Sequence, residues 1–447
     1  SVAFIPVFTE VKEKEGLDKA FELTRDVLTF MFYALTVLVI LGELLSPLMV
    51  GAMAPGFLSN KEVFDITVHL NRIMFPFILL IGIAALIMGV LNSQGHFSAP
   101  AGAPILLNVF MIGVPVVFYA LFPVFSRPED AFAWGVILGG IAQILLQMIP
   151  VRIMKIPLGF NANFFHPRLK KVLKLMGVAA VGASVYQLNV FIGTLLASLL
   201  STGSVSYLYY AGRILELPLG LFAFSVSNVM FPAMSTAFAR SDMKALSILN
   251  CNSLVAVMFF TIPATIGMII LAEPIFAVLF MRGAFGMDDV RAAAFALQMY
   301  ATGLCFVGCS RIFTQTLYAM QQPKEVVKVA WISLGINALA SIILMQFMGH
   351  AGIALASSIS VIFQMIVMYY FLSRQGIQVS REILIKVGKM LCASLGMGAL
   401  LMVFMNLHFW EQGLSVTSVL SLFSAIALGG GSYFLLLWLL RVKLSFR

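Results

Sequence analysis

Apolar residues come along this chain in long, almost uncharged blocks separated by short polar stretches. Twelve such blocks stand out, at about 27–53, 72–91, 104–123, 132–151, 175–200, 205–234, 249–272, 291–318, 329–347, 351–372, 388–408 and 416–440. Each is long enough for a helix to cross a hydrocarbon layer, which takes about 20 residues. Backbone groups inside lipid must bond within their own segment, so blocks of this length are helices; barrel strands would be about ten residues of alternating character. The pattern predicts an all-α polytopic membrane protein with twelve spans and no separate soluble domain. The longest predicted loops lie near 152–171 and 273–290. Residues 1–8 form a short apolar tail, too short to span, that reads as the end of a preceding element. A polar loop from Glu10 to Asp26 is expected to follow, and further sequence upstream is expected.

Composition narrows the picture. Of 447 residues, 61% are hydrophobic and 11% charged, whereas a soluble domain carries about 25% charge. That is too little charge to coat a soluble surface, which argues against a soluble enzyme, a nucleic-acid binder or a disordered chain. The 35 glycines follow no collagen period. Cys251, Cys305, Cys309 and Cys392 sit in or beside apolar blocks, with no metal-ligand or disulfide spacing. The net charge of +9 fits cationic cytoplasmic loops. With residues 1–26 placed inside and the spans alternating, 21 Lys and Arg fall on inner loops. Only Lys61, Arg72, Arg127, Arg282 and Arg291 fall outside, and the remaining two, Arg213 and Arg311, lie within spans. Both termini are expected in the cytoplasm.

Ionisable groups inside a span are costly and mark candidate function. Here they are Glu43, Arg213, Glu216 and Arg311, with Arg72 at an edge; Asn108, Gln187, Asn189, Asn228, Gln315 and Asn337 add uncharged polarity. The histidines (His69, His96, His166, His350 and His408) are scattered near segment ends. No paired carboxylates or His/Asp set suggests catalysis, so the expectation is a transporter, not an enzyme. Arg213 and Glu216 are three apart and share a helix face, roughly 12–17 Å from the outer end of their span. Pro218 follows and can kink the helix. Two readings stay open: a self-neutralising pair, or a cavity cation that grips an anion through its planar fork. Arg311, near the inner end of its span, either snorkels to the headgroups or faces a cavity. Glu43 lies close enough to the outer end to reach water, and Arg72 reads as an interfacial anchor. The stretches Leu91–Pro100 and Leu317–Pro323 each form a short inner loop that leads into a helix carrying Asn108 or Asn337, as related halves would.

Several stretches resemble the MurJ (MviN) lipid II flippases of the multidrug/oligosaccharidyl-lipid/polysaccharide exporter superfamily. They are Ala3-Phe-Ile-Pro6, Ala54-Pro-Gly-Phe57, Arg72-Ile-Met-Phe-Pro76, Leu91-Asn-Ser93 with Phe97, Pro100 and Pro104, Ser204 through Arg213 with Glu216 and Pro218, Arg282-Gly-Ala-Phe285, and Gln322-Pro323. The resemblance implies a two-lobe bundle of 14 helices, the twelve spans here being the third to fourteenth. The remainder of the N-terminal lobe would be 1–160, the C-terminal lobe 161–374, and an extra helix pair 375–447.

The implied function is translocation of an undecaprenyl-diphosphate-linked peptidoglycan precursor across the bacterial cytoplasmic membrane by alternating access. Arg213 matches a family cavity arginine and Glu216 a nearby carboxylate, while Arg311 matches a position that is often basic. With Gln187 and Asn189 these form the expected substrate-binding set, with no cofactor and no metal ligands. Expected partners are the lipid-linked precursor, membrane lipids and other cell-wall synthesis proteins, with a monomeric chain and no nucleic acid. Three features depart from the family pattern. Its other cavity arginines would lie upstream of Ser1. Gly212 stands where an acid often precedes the arginine. Gly193 and Ser341 occupy positions where some members hold sodium with acids, so sodium coupling through that site is not expected; the membrane potential, at about 2.3 kcal/mol per charge per 100 mV, is an alternative drive. Alternatives are flipping of O-antigen or other polysaccharide lipids, drug export, or a membrane-embedded glycosyltransferase.

Overall fold

A computed structural model describes residues 4–122, 124–125, 127–161, 167–408, 410–411 and 413–442. Ala3 and His166, singled out above, lie outside them. The described residues form helices and no strand. In chain order the helices are α1 Phe4–Glu15, α2 Leu17–Leu44, α3 Ser46–Met53, α4 Lys61–Met74, α5 Phe77–Ser93, α6 Ser98–Pro115, α7 Pro128–Ile153 and α8 Pro167–Ser198. They continue as α9 Ser204–Pro218, α10 Ser225–Ala239, α11 Met243–Phe280, α12 Met287–Ala319, α13 Pro323–Met348, α14 His350–Arg374, α15 Arg381–Met405 and α16 Val416–Leu439. Eleven helical stretches among the described residues are long and apolar enough to cross a membrane. They coincide with eleven of the twelve predicted blocks. The other block, 175–200, falls on α8, where the described apolar stretch is the shorter Gln187–Ser198.

The loop expected from Glu10 to Asp26 is helical instead. Phe4, Val7, Phe8 and Val11, then Ala20, Leu23 and Val27, are buried at helical spacing, and the intervening charges line the other face. One residue separates α1 from α2: Gly16, at φ +93°, a left-handed conformation that glycine adopts without steric penalty. Asp26 is buried and accepts a bond from Asn161 Nδ2 at 2.7 Å. Counting charges there concealed an amphipathic pattern.

The chain divides into two compact units, 1–184 and 185–447. In the first, α1, α2, α5, α7 and the start of α8 share one apolar core around Phe8, Leu23, Val90, Leu91, Val151 and Val172. The backbones of α6 and α7 nearly touch. A Cβ on Gly135 would stand 2.9 Å from the Phe110 carbonyl oxygen, and one on Gly139 would stand 3.0 Å from the Leu107 Cα. Such small-residue contact is how helices associate in lipid, where burial alone provides little drive. In the second unit α12 is the central element, packed on α9, α10, α11 and α14. Its Gly303 gives the same close approach to Ser358 of α14. Helices α15 and α16 cover α11, and the buried Tyr433 hydroxyl donates to the Phe259 carbonyl at 2.8 Å.

Two backbone devices recur. The first is a cap in which the N–H three residues past the helix bonds back to the carbonyl five positions earlier, across a residue of positive φ. It closes α5 (His96 to Leu91, 2.9 Å), α7 (Ile156 to Val151, 3.0 Å), α10 (Asp242 to Ala237, 3.0 Å), α12 (Gln322 to Leu317, 2.9 Å), α14 (Ile377 to Leu372, 3.1 Å) and α16 (Val442 to Leu437, 3.1 Å). The left-handed residues are Gly95, Lys155, Ser241, Gln321, Gly376 and Arg441. The likeness between Leu91–Pro100 and Leu317–Pro323 is therefore one instance of a cap that six helices share. The second device is a π-helical turn directly after a proline. Val116–Leu121 follows Pro115 in the first unit, and Leu219–Phe224 follows Pro218 in the second. Proline deprives the preceding turn of an N–H, and the chain re-registers through wider hydrogen-bonded loops.

Candidate functional site

Helix α9 runs from Ser204 to a break at Pro218, and its register puts Tyr209, Arg213 and Glu216 on one side. That side borders a cavity of about 420 Å³ within the second unit. Other walls come from Asn189 and Gly193 of α8, Tyr300 and Gly303 of α12, Asn337 of α13, and Ser357 and Ser358 of α14. Arg213 Nη1 donates to Glu216 Oε2 at 2.8 Å, and the guanidinium stands 5.0 Å from the Tyr209 ring centre. Both charged side chains stay more than half exposed, at 59% and 53%. An ion pair this open stabilises a fold by about 0–1 kcal/mol. Fold stability is thus a weak reason for placing it mid-span, and the guanidinium keeps donors available to the cavity, having five in all.

The facing wall is polar but largely satisfied within itself. Asn337 Nδ2 donates to Ser357 Oγ at 3.1 Å, and Ser358 Oγ donates to the Met299 carbonyl at 2.8 Å. The end of α9 at Ser204 is fastened to its neighbours. The Tyr207 hydroxyl donates to Asp289, whose other oxygen accepts from the Gly286 N–H at 2.8 Å. The Tyr207 ring lies 5.2 Å from that of His350, whose Nε2 meets the Ala292 carbonyl at 2.9 Å.

Of the five expected binding residues, the cavity gathers Arg213, Glu216 and Asn189. Gln187 is exposed and does not line it. Arg311 is half-buried one turn past Val307 and meets Phe224 and Ser227 instead. Tyr209, Tyr300 and Ser357 were missed. Tyr209 carried a signal, being one turn before Arg213; the other two reach the cavity only through the packing of α12 and α14. At the positions where some family members hold sodium with acids, Gly193 and Ser341 supply no carboxylate; the Ser341 hydroxyl is buried with no hydrogen-bond partner, and Asn337 donates its amide to Ser357. Among the described residues no three His, Cys, Asp or Glu cluster as a metal site would need.

The family model described as lipid II flippase MurJ matches residues 1–423. The chain belongs to the lipid II flippase MurJ family. It is 34% identical to the lipid II flippase MurJ of Burkholderia cenocepacia over 381 residues, covering 84% of this chain and 73% of that protein. It is 32% identical to the probable lipid II flippase MurJ of Buchnera aphidicola over 449 residues, covering 99% and 87%. A solved lipid II flippase MurJ in an inward closed conformation matches with a TM-score of 0.75 at 25% identity, over 97% of this chain and 87% of that one. A multidrug resistance MATE family transporter of the MOP superfamily, in its inward-facing conformation, matches at 0.68 with 15% identity over 84% and 85%. That likeness is one of fold alone, and it agrees with the expected superfamily. The MurJ family is one of membrane transporters, and this chain is a multi-pass membrane protein.

Proposed function

We propose that this protein is a lipid II flippase whose Arg213 receives the diphosphate of the lipid-linked precursor. The observation that carries the residue assignment is a guanidinium held open to a cavity by a carboxylate three residues away. A bare diphosphate entering a low-dielectric space would lose tens of kcal/mol of hydration. A planar fork donating two bonds offsets part of that loss, and Glu216 keeps the fork oriented while the cavity is empty. The polyprenyl tail stays in lipid while the head crosses by alternating access. The excess of Lys and Arg on alternate loops supports an orientation with both termini in the cytoplasm, and the proposed substrate implies the bacterial inner membrane. We assign the lobes to 1–160 and 161–374, with 375–447 as the added pair, while the compact units themselves part at 184/185. The protein acts as a monomer, with other cell-wall synthesis proteins as partners.

The test is rescue of growth in a bacterium depleted of its own flippase, with the gene in its full genomic context and membrane levels matched. Removing one partner of a desolvated charge pair costs about 3–5 kcal/mol, so Arg213→Ala should abolish rescue. Arg213→Lys keeps charge without the fork and should rescue partly. Full rescue by Arg213→Ala rejects the assignment.

A further inference from the structure

Arg311 sits on the buried central helix α12, yet no carboxylate pairs with it among the described residues and it does not line the cavity. Its guanidinium carbon lies 4.2 Å from the Phe224 ring centre, and its Nε donates to Ser227 Oγ at 3.4 Å. Ser227, only 1% exposed, donates in turn to the Phe224 carbonyl at 3.0 Å. Phe224 is the last residue of the π turn that separates α9 from α10. One turn earlier, Ser225 Oγ donates to the Gly220 carbonyl at 3.2 Å. Two serines thus donate to carbonyls of the widened turn, and Arg311 binds one of those serines and covers the ring beside it. Among the described residues this half-buried cation meets a hydroxyl and a ring face and no carboxylate, an expensive arrangement, and long side chains near span ends ordinarily reach for headgroups. The same helix holds the far end of α9 through Asp289 and Tyr207. The segment carrying Arg213 and Glu216 is therefore strapped to α12 on both sides, with the π turn between the straps.

We propose that Arg311 is a positioning residue: through Ser227 and Phe224 it sets the π turn Leu219–Phe224, and with it the face that α9 presents to the cavity, without touching the translocated head group. The proposal deepens the reading of Arg213 as the substrate cation, but its test can fail separately, because the readout needs no substrate. Gly212 lines the cavity beside Arg213, and a Cβ there meets nothing within 4 Å. Gly212→Cys is introduced into the full-length protein, and its maleimide labelling rate is followed by mass spectrometry in liposomes without lipid II.

Arg311→Gln and Ser227→Ala should each change that rate at least threefold in the same direction, and the double variant should match the singles. Arg311→Lys, which keeps the charge but not the Nε donor, should behave like Ser227→Ala. Thermal unfolding checks that the variants are folded; if Arg311→Gln is not, Ser227→Ala and Arg311→Lys decide. Unchanged labelling in folded variants overturns the proposal. So does a silent Ser227→Ala beside an Arg311→Gln that weakens lipid II binding alone, since that result makes Arg311 a head-group contact. If labelling shifts as expected while Arg213→Ala still rescues growth, the strap stands and the reading of Arg213 falls.

Discussion

The two π turns begin alike and end differently. Each starts at the residue after a proline, Pro115 in the first unit and Pro218 in the second. Val116–Leu121 runs out into extended backbone at Phe122, with Val116, Val117, Phe118, Tyr119 and Leu121 all exposed. Leu219–Phe224 leads into another helix, with Leu219 and Ala223 buried and serines bonded to its carbonyls. Proline chemistry accounts for both turns. What differs is the surroundings: one turn finishes a helix, and the other joins two rods, one of which carries the only Arg–Glu pair on the cavity wall. The comparison shows that a backbone irregularity gains a role from what grips it and from what lies on either side.

Three perturbations test that contrast, beginning with the largest. Pro218→Ala restores an N–H and favours a continuous helix through the join, whereas Pro115→Ala acts at a helix end. In a reconstituted flipping assay the first should slow transport about tenfold, equivalent to about 1.4 kcal/mol, and the second should leave it within about twofold. Equal effects would erase the distinction between the turns. A subtler effect, on stability rather than on transport, is expected of Tyr207→Phe, which removes one hydrogen bond to a carboxylate. It should lower the thermal unfolding midpoint, and Asp289→Asn, which leaves one acceptor for two donors, the Tyr207 hydroxyl and the Gly286 N–H, should lower it at least as much.

The smallest effect lies far from either turn. Lys171 and Lys14 hold the Glu10 carboxylate below its ordinary value of 4.5, by hydrogen bonds first and by charge second. A depressed acid stabilises the fold above its ordinary titration range and loses that contribution as pH falls through the lower folded value. Thermal unfolding followed downward from pH 6 should show a slight acid-side loss that Glu10→Gln removes and that high salt weakens, because the pair is exposed.

Much of this was legible in the sequence. Blocks of about 20 apolar residues have one stable form in lipid, so the spans and their loops could be placed from hydropathy alone. Arg213 and Glu216 declared themselves by a spacing of three. The first helices were hidden because a charged stretch was read by composition, whereas the buried Phe8, Phe21 and Leu23 carried the period. Pro218 announced a bend but not its π form, nor the serines that donate to the carbonyls of the widened turn. Tyr300 and Ser357 come to the cavity from helices far apart in sequence. Arg311 was assigned to headgroup or cavity, since no local pattern encodes a ring and a hydroxyl on another helix.

The six shared caps bear on how such a protein can move. A helix closed by a left-handed residue cannot grow by a turn at that end unless the residue's φ changes sign and the capping hydrogen bond breaks. At Gln321, Ser241, Lys155 and Arg441 that conformation costs an L-residue about 1–2 kcal/mol, a cost that glycine does not carry, so the capping bonds and their surroundings hold it. In the proposed orientation all six ends face the cytoplasm. Each of these helices then has a set cytoplasmic end, so it moves as a rod of constant length and does not lengthen or fray at that side.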